Sequence, residues 1–382
     1  LIFAALILIG CWVYCVLAIV AAFRYLRTEP RPAGAVFNTL STPSSIPISI
    51  LKPLSGLDEG LEHNLRSFFT QDYSEFEILF AVRQDDDPAT PVVQALIAEC
   101  PAIRTKLVIT GEPPYPNAKV FSLSRMLEQA NYPLIVMSDS DIHVGSDFCR
   151  KIAAEFAGTG LDLATCPYRA VGGASIWSRL EAVGMNTDFH AGLFTALLME
   201  GARFAVGPTI VARRSTLDAL GGIERFQNYL AEDFMLGKIA AEQGFGVRFS
   251  AYVVEHRIGS ETMRANFAHR IRWARSTRRS RPAGYVGQFF THPFPIALII
   301  FILLPHSWPL LLVTIVLRCI AAWVVSDYVL GARVPWLLLP VQDILAFLFW
   351  IVGFFGNSIL WRGRRYILKR DGTVEPVLNR AR

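Results

Sequence analysis

The chain has 382 residues, of which 52% are hydrophobic and only 18% charged, with a formal net charge of +5. An average soluble domain is about 25% charged, so this composition excludes an ordinary cytosolic protein and is far too apolar for a disordered one. Six scattered cysteines without a CxxC pair exclude a disulfide framework, argue against a cysteine-based zinc site and suit a reducing compartment.

Residues 1–23 carry no charge, and Arg24, Arg27 and Arg31 follow at once. A run of that length crosses a hydrocarbon core of about 30 Å as a helix. A signal peptide has its positive charge before the apolar run, so the reversed order here predicts an uncleaved anchor with its C-terminal side cytoplasmic. The sequence opens on Leu1 rather than Met, which leaves room for residues before it. Residues 24–45 read as a linker, rich in Pro, Ser and Thr from residue 30 onward.

Strands are then expected at Ile46–Leu51, Phe76–Val82, Lys106–Ile109 and Leu134–Met137, with helices at 61–69, 92–99 and 120–130 between them. This alternation predicts a mostly parallel sheet covered on both faces. Shorter strands at Thr209–Ala212 and Val247–Ser250, and helices at 175–200 and 230–243, complete a domain expected over 46–288. Residues 289–361 are again mostly apolar, with candidate segments at 289–304, 308–330 and 336–361. The first is short and carries Pro293 and Pro295, so it is expected to be interfacial or re-entrant. The other two are expected to span. Arg318, Asp327 and Asp343 within this region are costly there, and should face the bundle interior or lie near span ends. A basic tail, 362–382, follows and should stay cytoplasmic.

Four constellations carry candidate chemistry. Asp139-Ser-Asp141 directly follows a buried strand, at the end where open α/β sheets bind ligands. Two carboxylates so placed can hold a hard cation such as Mg²⁺ against substrate phosphates, serve a phosphatase of the aspartyl-phosphate type, or be a solvated loop. Asp85-Asp-Asp87-Pro88 is a turn, or supplies a carboxylate to a nucleobase or ribose. Glu232-Asp233 caps a helix, or supplies a general base. His269-Arg-Ile-Arg-Trp273, with Arg275, Arg278, Arg279 and Arg281, is a phosphate clamp, a membrane-surface patch or a nucleic-acid patch, of which the first two are favoured by the apolar run beginning within ten residues.

As a set these residues resemble the membrane-bound GT-A glycosyltransferases, particularly the ceramide glucosyltransferase family (glycosyltransferase family 21), whose pattern is three spaced aspartate motifs and then (Q/R)xxRW. Asp87, Asp139, Asp233 and Arg272-Trp273 match in order. Ile50-Leu-Lys-Pro-Leu-Ser-Gly56, Asn117-Ala-Lys119, Gly221-Gly222 and Trp361–Tyr366 support the match. His269 departs from the motif's Gln or Arg, and Asp141 stands where the animal enzymes have a small residue. These features and the run at 281–285 also resemble bacterial hopanoid-associated glycosyltransferases.

The resemblance implies a GT-A α/β domain with flanking transmembrane helices, in a bacterial inner membrane, with the catalytic domain cytoplasmic. It implies an inverting transfer of a hexose, glucose first among the choices, from a UDP-sugar to a lipid hydroxyl such as ceramide. Asp233 would be the general base, and Arg272 would stabilise the departing diphosphate. Asp87, Lys119, Asp139, Arg272 and Trp273 would bind the donor, with Mg²⁺ or Mn²⁺ on Asp139 and Asp141. The partners would be the UDP-sugar, a membrane lipid acceptor and the bilayer, with no nucleic acid. The alternatives are a hopanoid N-acetylglucosaminyltransferase and, from another class, a non-catalytic membrane scaffold.

The charge pattern predicts that residues 24–31 and 362–370 lie on the same, cytoplasmic side. A Thr373→Cys variant in intact cells should resist an impermeant maleimide added from outside, and rapid labelling would reverse the assignment.

Overall fold

A computed structural model describes residues 2–28, 46–361 and 364–377 of the chain. Most of the expected linker, with Arg31, and the tail residues Arg362 and 378–382 lie outside the described residues. The described chain forms two compact units, one of residues 29–168 and 202–257, the other of residues 1–28, 169–201 and 258–382. Of the domain expected over 46–288, residues 169–201 and 258–288 group with the second unit.

The first unit is built on a seven-stranded sheet. Its strands, among those numbered along the chain, are β1 (Ile48–Pro53), β2 (Phe76–Val82), β3 (Arg104–Ile109), β4 (Leu134–Ser138), β6 (Leu163–Thr165), β8 (Thr209–Arg213) and β9 (Val247–Phe249). Those left out are β5 (Ile142–His143), β7 (Tyr168–Gly172) and β10 (Val254–Ile258). The sheet order is β3-β2-β1-β4-β8-β6-β9. The pairs β3–β2, β2–β1, β1–β4 and β6–β9 are parallel, and β8 is antiparallel to both β4 and β6. Strands β2 and β4 are buried along their whole length, which explains why they are apolar apart from Glu77 and Ser138.

Helices Leu61–Phe69, Ala89–Glu99, Ala118–Leu127 and Glu232–Glu242 lie in the same unit. Leu51, Leu79, Met137, Val120, Leu123, Leu236 and Ala240 belong to one packed core that ties the strands to two of these helices. Parallel β1 and β4 end side by side, Leu51 opposite Met137. That register sets Lys52 and Ser138, each one residue further on, at the same carboxyl edge.

The second unit is helical. The anchor helix runs Ile2–Thr28, so Arg24 and Arg27 belong to its last turns and not to a linker; the first prolines that could stop it stand at 30 and 32. The segment expected as one helix over 175–200 is Ile176–Gly184, a π-helical stretch Met185–Phe189, and His190–Glu200. Two helices, Ala4–Arg27 and Pro305–Leu330, are long and apolar enough to cross a membrane. Pro282–Thr291 and Pro293–Leu303 form a pair bent by 57°, which would make a third as one broken span. The bend falls at His292 and Pro293, where proline removes a helical N–H and disfavours helix in the residue before it.

The segment expected to span over 336–361 is not one continuous helix. Its helix is Leu339–Gly353, and Gly356 takes φ +74°. Ser358–Trp361 then pairs antiparallel with Arg364–Leu368, which pairs with Val374–Pro376. Much of the expected tail is thus a small sheet.

Arg318 and Asp343 do face the interior. They are 6% and 4% exposed, and Arg318 forks onto Asp343 with Nε donating to Oδ2 at 2.9 Å and Nη2 to Oδ1 at 2.7 Å. The same Nη2 reaches Asp188 Oδ1 at 2.5 Å and Thr187 Oγ1 at 3.1 Å. Asp327 instead accepts from the Val334 N–H at 3.0 Å, closing the turn after its helix.

Removing one member of a buried ion pair typically costs about 3–5 kcal/mol, whereas replacing both by apolar groups costs far less. Asp343→Ala is therefore expected to lower the thermal midpoint in detergent by several degrees. The double variant Arg318→Met/Asp343→Leu should recover part of the loss, and strictly additive losses would show that the pair is not coupled.

Candidate active site

The site is assembled at the carboxyl edge of the sheet. Strand β4 ends at Ser138, and Asp139-Ser-Asp141 bridges to β5. Strand β5 pairs antiparallel with β10, placing Ile142 opposite His256. That pairing brings the His256 Nε2 to 3.0 Å from Asp141 Oδ2.

Opposite stand the first turns of two helices. Asn117 caps the helix Ala118–Leu127, its Oδ1 accepting from the Val120 N–H at 3.1 Å. Its Nδ2 donates to the Tyr229 carbonyl at 3.0 Å and to Glu232 Oε2 at 3.1 Å. The buried Asn117 thereby links this helix start to that of Glu232–Glu242. Lys119, in the first turn, lies 2.6 Å from Asp139 Oδ1 and 3.4 Å from Glu232 Oε1. Lys52 donates to Ser138 Oγ at 3.3 Å and to the Asp139 carbonyl, with its ammonium 4.0 Å from the centre of the Phe68 ring.

These contacts set the charges. Burial alone would depress the Lys119 ammonium, but Asp139 and Glu232 hold it above the ordinary lysine range. Lys52 is fully enclosed, and burial pulls it down to about 7 despite Asp139 and Asp141 nearby. Burial pushes the Asp139 carboxyl up, with Lys119 opposing. Burial acts on Asp141 in the same direction, but His256 and Lys52 together with a backbone N–H outweigh it, and Asp141 is held below the ordinary carboxylate range.

The Asp233 carboxyl is displaced upward as well. Burial first, and then Glu232, push it up to about 7, against the pull of Lys119. Ala231 holds the N-cap position and makes no side-chain cap bond, so Asp233 stands inside the helix. Its Oδ2 faces Gly207, where an added Cβ would stand 2.8 Å away. Glycine at 207 leaves that carboxyl its room.

Asp87 has a structural task. Its carboxylate accepts from the Gly56 N–H at 3.0 and 3.2 Å and from the Ala89 N–H at 2.9 Å. It thus fastens the loop after β1 to the loop after β2, as a turn aspartate does, on the same edge of the sheet.

Arg272 and Trp273 belong to the helical unit, on the helix Met263–Ser280. Trp273 packs on His269 and Phe189, with ring centres 4.8 and 6.1 Å apart. Much of the surrounding arginine cluster is used internally. Arg275 donates to the Phe355 carbonyl at 3.0 Å, and Arg278 to the Gly356 carbonyl at 2.7 Å and Asn357 Oδ1 at 2.8 Å. Arg281 pairs with Glu200.

The structure thus gathers Lys119, Asp139, Asp141 and Asp233 into one group and adds Lys52, Glu232 and His256. Lys52 ends an apolar strand beside the aspartate strand, a signal available in the sequence. His256 is there only because β10 pairs with β5, which nothing local announces.

The acidic group suits a divalent cation. Asp141 Oδ1 is buried and makes no hydrogen bond to any described group, the state expected of an oxygen kept for a metal. Asp139 and Asp141 are hard oxygen donors of the type that bind Mg²⁺ or Mn²⁺ beside phosphates.

The model of glycosyl transferase family 21 matches residues 7–374. The chain belongs to this family. It is 30% identical to ceramide glucosyltransferase 1 of Caenorhabditis elegans over 276 residues, 71% of this chain and 58% of that one. With ceramide glucosyltransferase 3 of the same organism it shares 27% over 350 residues, 87% of this chain and 75% of that one. The chain thus spans little more than half of the first relative. Among solved structures, a mannosyltransferase from Pyrobaculum calidifontis, in complex with GDP-Man and Mn²⁺, aligns with a TM-score of 0.52 at 17% identity, covering 92% of this chain and 98% of that one. The likeness is one of fold, the GT-A-type α/β architecture of glycosyltransferases.

If Asp139 and Asp141 hold the cation, Asp141→Asn should weaken Mn²⁺ binding by about tenfold or more, roughly 1.4 kcal/mol, as read by electron paramagnetic resonance of free Mn²⁺. Unchanged affinity would move the metal elsewhere.

Proposed function

We propose that this family 21 chain is a membrane-bound inverting glycosyltransferase. It moves a hexose, glucose in the first instance, from a UDP-sugar to the hydroxyl of a lipid such as ceramide. The observation that carries the reading is the division of labour among the acids at the sheet edge. Asp139 and Asp141 stand with cationic or imidazole partners at the end of β4, while Asp233, from the first turn of the helix Glu232–Glu242, brings to the same group a carboxyl raised to about 7.

In this reading Asp139 and Asp141 hold Mg²⁺ or Mn²⁺, which supplies charge neutralisation to the diphosphate when bound. Lys119 adds a second positive charge on the donor side. Asp233 takes the proton of the lipid hydroxyl as its oxygen attacks the anomeric carbon. The bond from that carbon to the diphosphate oxygen breaks, and its electron pair leaves with UDP. Attack from the face opposite the leaving group inverts the centre. Asp87 fixes the loops that border the nucleotide, and its carboxylate is the candidate contact to uridine or ribose. The motif assigns Arg272 to the departing diphosphate and Trp273 to donor binding. The acid group is assigned to the cytoplasmic side, where Arg24 and Arg27 end the anchor helix. An even number of passes then fits with Pro282–Leu303 and Pro305–Leu330 as the two, and Leu339–Gly353 as a helix too short to span.

Mass spectrometry of lipid products, from membranes supplied with each UDP-sugar and with ceramide or a hopanoid, tests the acceptor and the sugar together. Absence of any glycosylated lipid would overturn the reading.

The base has its own test. A carboxyl near 7 must be ionised to act, so kcat/KM should fall about tenfold per pH unit below that value and level off above it. Asp233→Asn should lose transfer by at least about a hundredfold while retaining donor binding. A flat profile between pH 5.5 and 8, or an active Asn variant, would shift the role to Glu232.

A further inference from the structure

A second cluster of ligand-type side chains lies entirely in the helical unit, away from the aspartates considered above in sequence and in composition. Glu181 comes from the helix Ile176–Gly184, Glu261 from the turn before the helix Met263–Ser280, and His269 from that helix itself. One ligand atom from each falls within 4.8 Å of the others, and theirs is the single such trio among the described residues.

Two observations separate it from an ordinary acidic patch. Glu181 is 3% exposed, and its Oε1 lies 3.0 Å from His269 Nδ1. Yet both atoms are buried and neither makes a hydrogen bond of acceptable geometry. An oxygen and a ring nitrogen 3.0 Å apart, neither of them hydrogen-bonded, set two donor atoms side by side. That is the arrangement of two ligands to one ion. Zinc bonds of about 2.0–2.2 Å to nitrogen and oxygen place neighbouring tetrahedral ligands roughly 3.3 Å apart, close to the observed separation.

The surroundings hold the ligands in place. Asn266, fully buried, directs its Nδ2 to Glu181 Oε2 and, at 3.3 Å, to Glu261 Oε2. One amide thus orients both carboxylates, as outer partners do in metal sites. Ser178 Oγ accepts from the Glu261 N–H at 2.9 Å and donates to the Gly259 carbonyl at 2.5 Å, pinning the turn. The edge of the His269 ring rests on Trp273. Glu261 and His269 are both only partly buried, which leaves the site open to solvent on their side.

We propose that Glu181, Glu261 and His269 form a second metal site, separate from Asp139 and Asp141, that takes a transition-metal dication of the zinc type. Two carboxylates and a neutral imidazole balance its charge, the imidazole nitrogen favours such an ion over Mg²⁺, and a fourth position is left for water. The ion would tie the turn at Glu261 to both helices, and so fix the segment bearing Arg272 and Trp273. This assignment does not depend on the proposed reaction.

The test is zinc content by inductively coupled plasma mass spectrometry on full-length protein in detergent, dialysed against micromolar zinc and then freed of excess. About one zinc per chain is expected in the wild type and in Asp139→Ala/Asp141→Ala, falling to near zero in His269→Gln and Glu261→Gln. Zinc should also raise the thermal midpoint of the wild type by several degrees and leave that of His269→Gln unmoved. Glutamine is chosen because the family motif carries it at this position. Equal zinc in wild type and His269→Gln, loss of the zinc in the Asp139→Ala/Asp141→Ala protein, or no zinc at all would each overturn the proposal, the last leaving a histidine–glutamate ion pair only.

Discussion

Lys119 is the charge on which the carboxylate group depends. Asp139, Asp141, Glu232 and Asp233 could not share one sheet edge as four anions without a cation among them, because burial and mutual repulsion act in the same direction. The Lys119 ammonium touches Asp139 and Glu232 and lowers Asp233 from where burial alone would leave it. It does so from the first turn of a helix whose start is fixed by Asn117, and Asn117 in turn holds Glu232. The buried asparagine and the lysine two residues later form one device: the amide sets the spacing of the helix starts and the ammonium makes that spacing electrostatically tolerable.

The second unit solves a related problem by different means. Arg318 is placed among apolar helices where an unpaired charge would be prohibitive, and it is met by a fork of oxygens from Asp343 with Asp188 and Thr187 beside it. The ligands come from separate helices, so the network fixes how those helices align, which apolar packing alone does loosely. The π-helical stretch Met185–Phe189 contains both Thr187 and Asp188, and such bulges commonly mark places where side chains are presented out of the regular helical sequence.

The parts of the fold legible in the sequence were those written in local periodicity. Strands at 76–82 and 134–138 announce themselves because both faces are buried, and the aspartates are placed because they end such a strand. The family pattern added Asp233 and Arg272, which local reasoning left divided between cap and base or among three kinds of basic patch. What escaped was non-local. The pairing of β5 with β10 that delivers His256, and the Glu181–His269 approach across more than eighty residues, have no signature in any window of sequence. Where the helix within 336–361 ends was hidden for a related reason. Apolar content identifies a segment that prefers lipid, but Gly356 and the ladder beginning at Ser358 decide where the helix ends. Asp87 shows the converse: both its structural and its functional readings can hold, since an aspartate that fastens two loops also fixes the edge where a ligand would lie.

The small sheet after Ser358 changes how the basic stretch at 269–281 would be felt by its surroundings. Arg275 and Arg278 direct their guanidinium groups into the carbonyls and amide at 355–357, and Arg281 is paired with Glu200. Glu200 cancels the charge of Arg281, while the carbonyl and amide partners of Arg275 and Arg278 leave their charge in place but hold it against 355–357. A polyanion approaching in solution would meet a weaker attraction than the sequence suggests, and at physiological salt that attraction would fade within a Debye length of about 8 Å. The arginines work inward, as the clasp that keeps the turn at 355–357 against the helix that carries them.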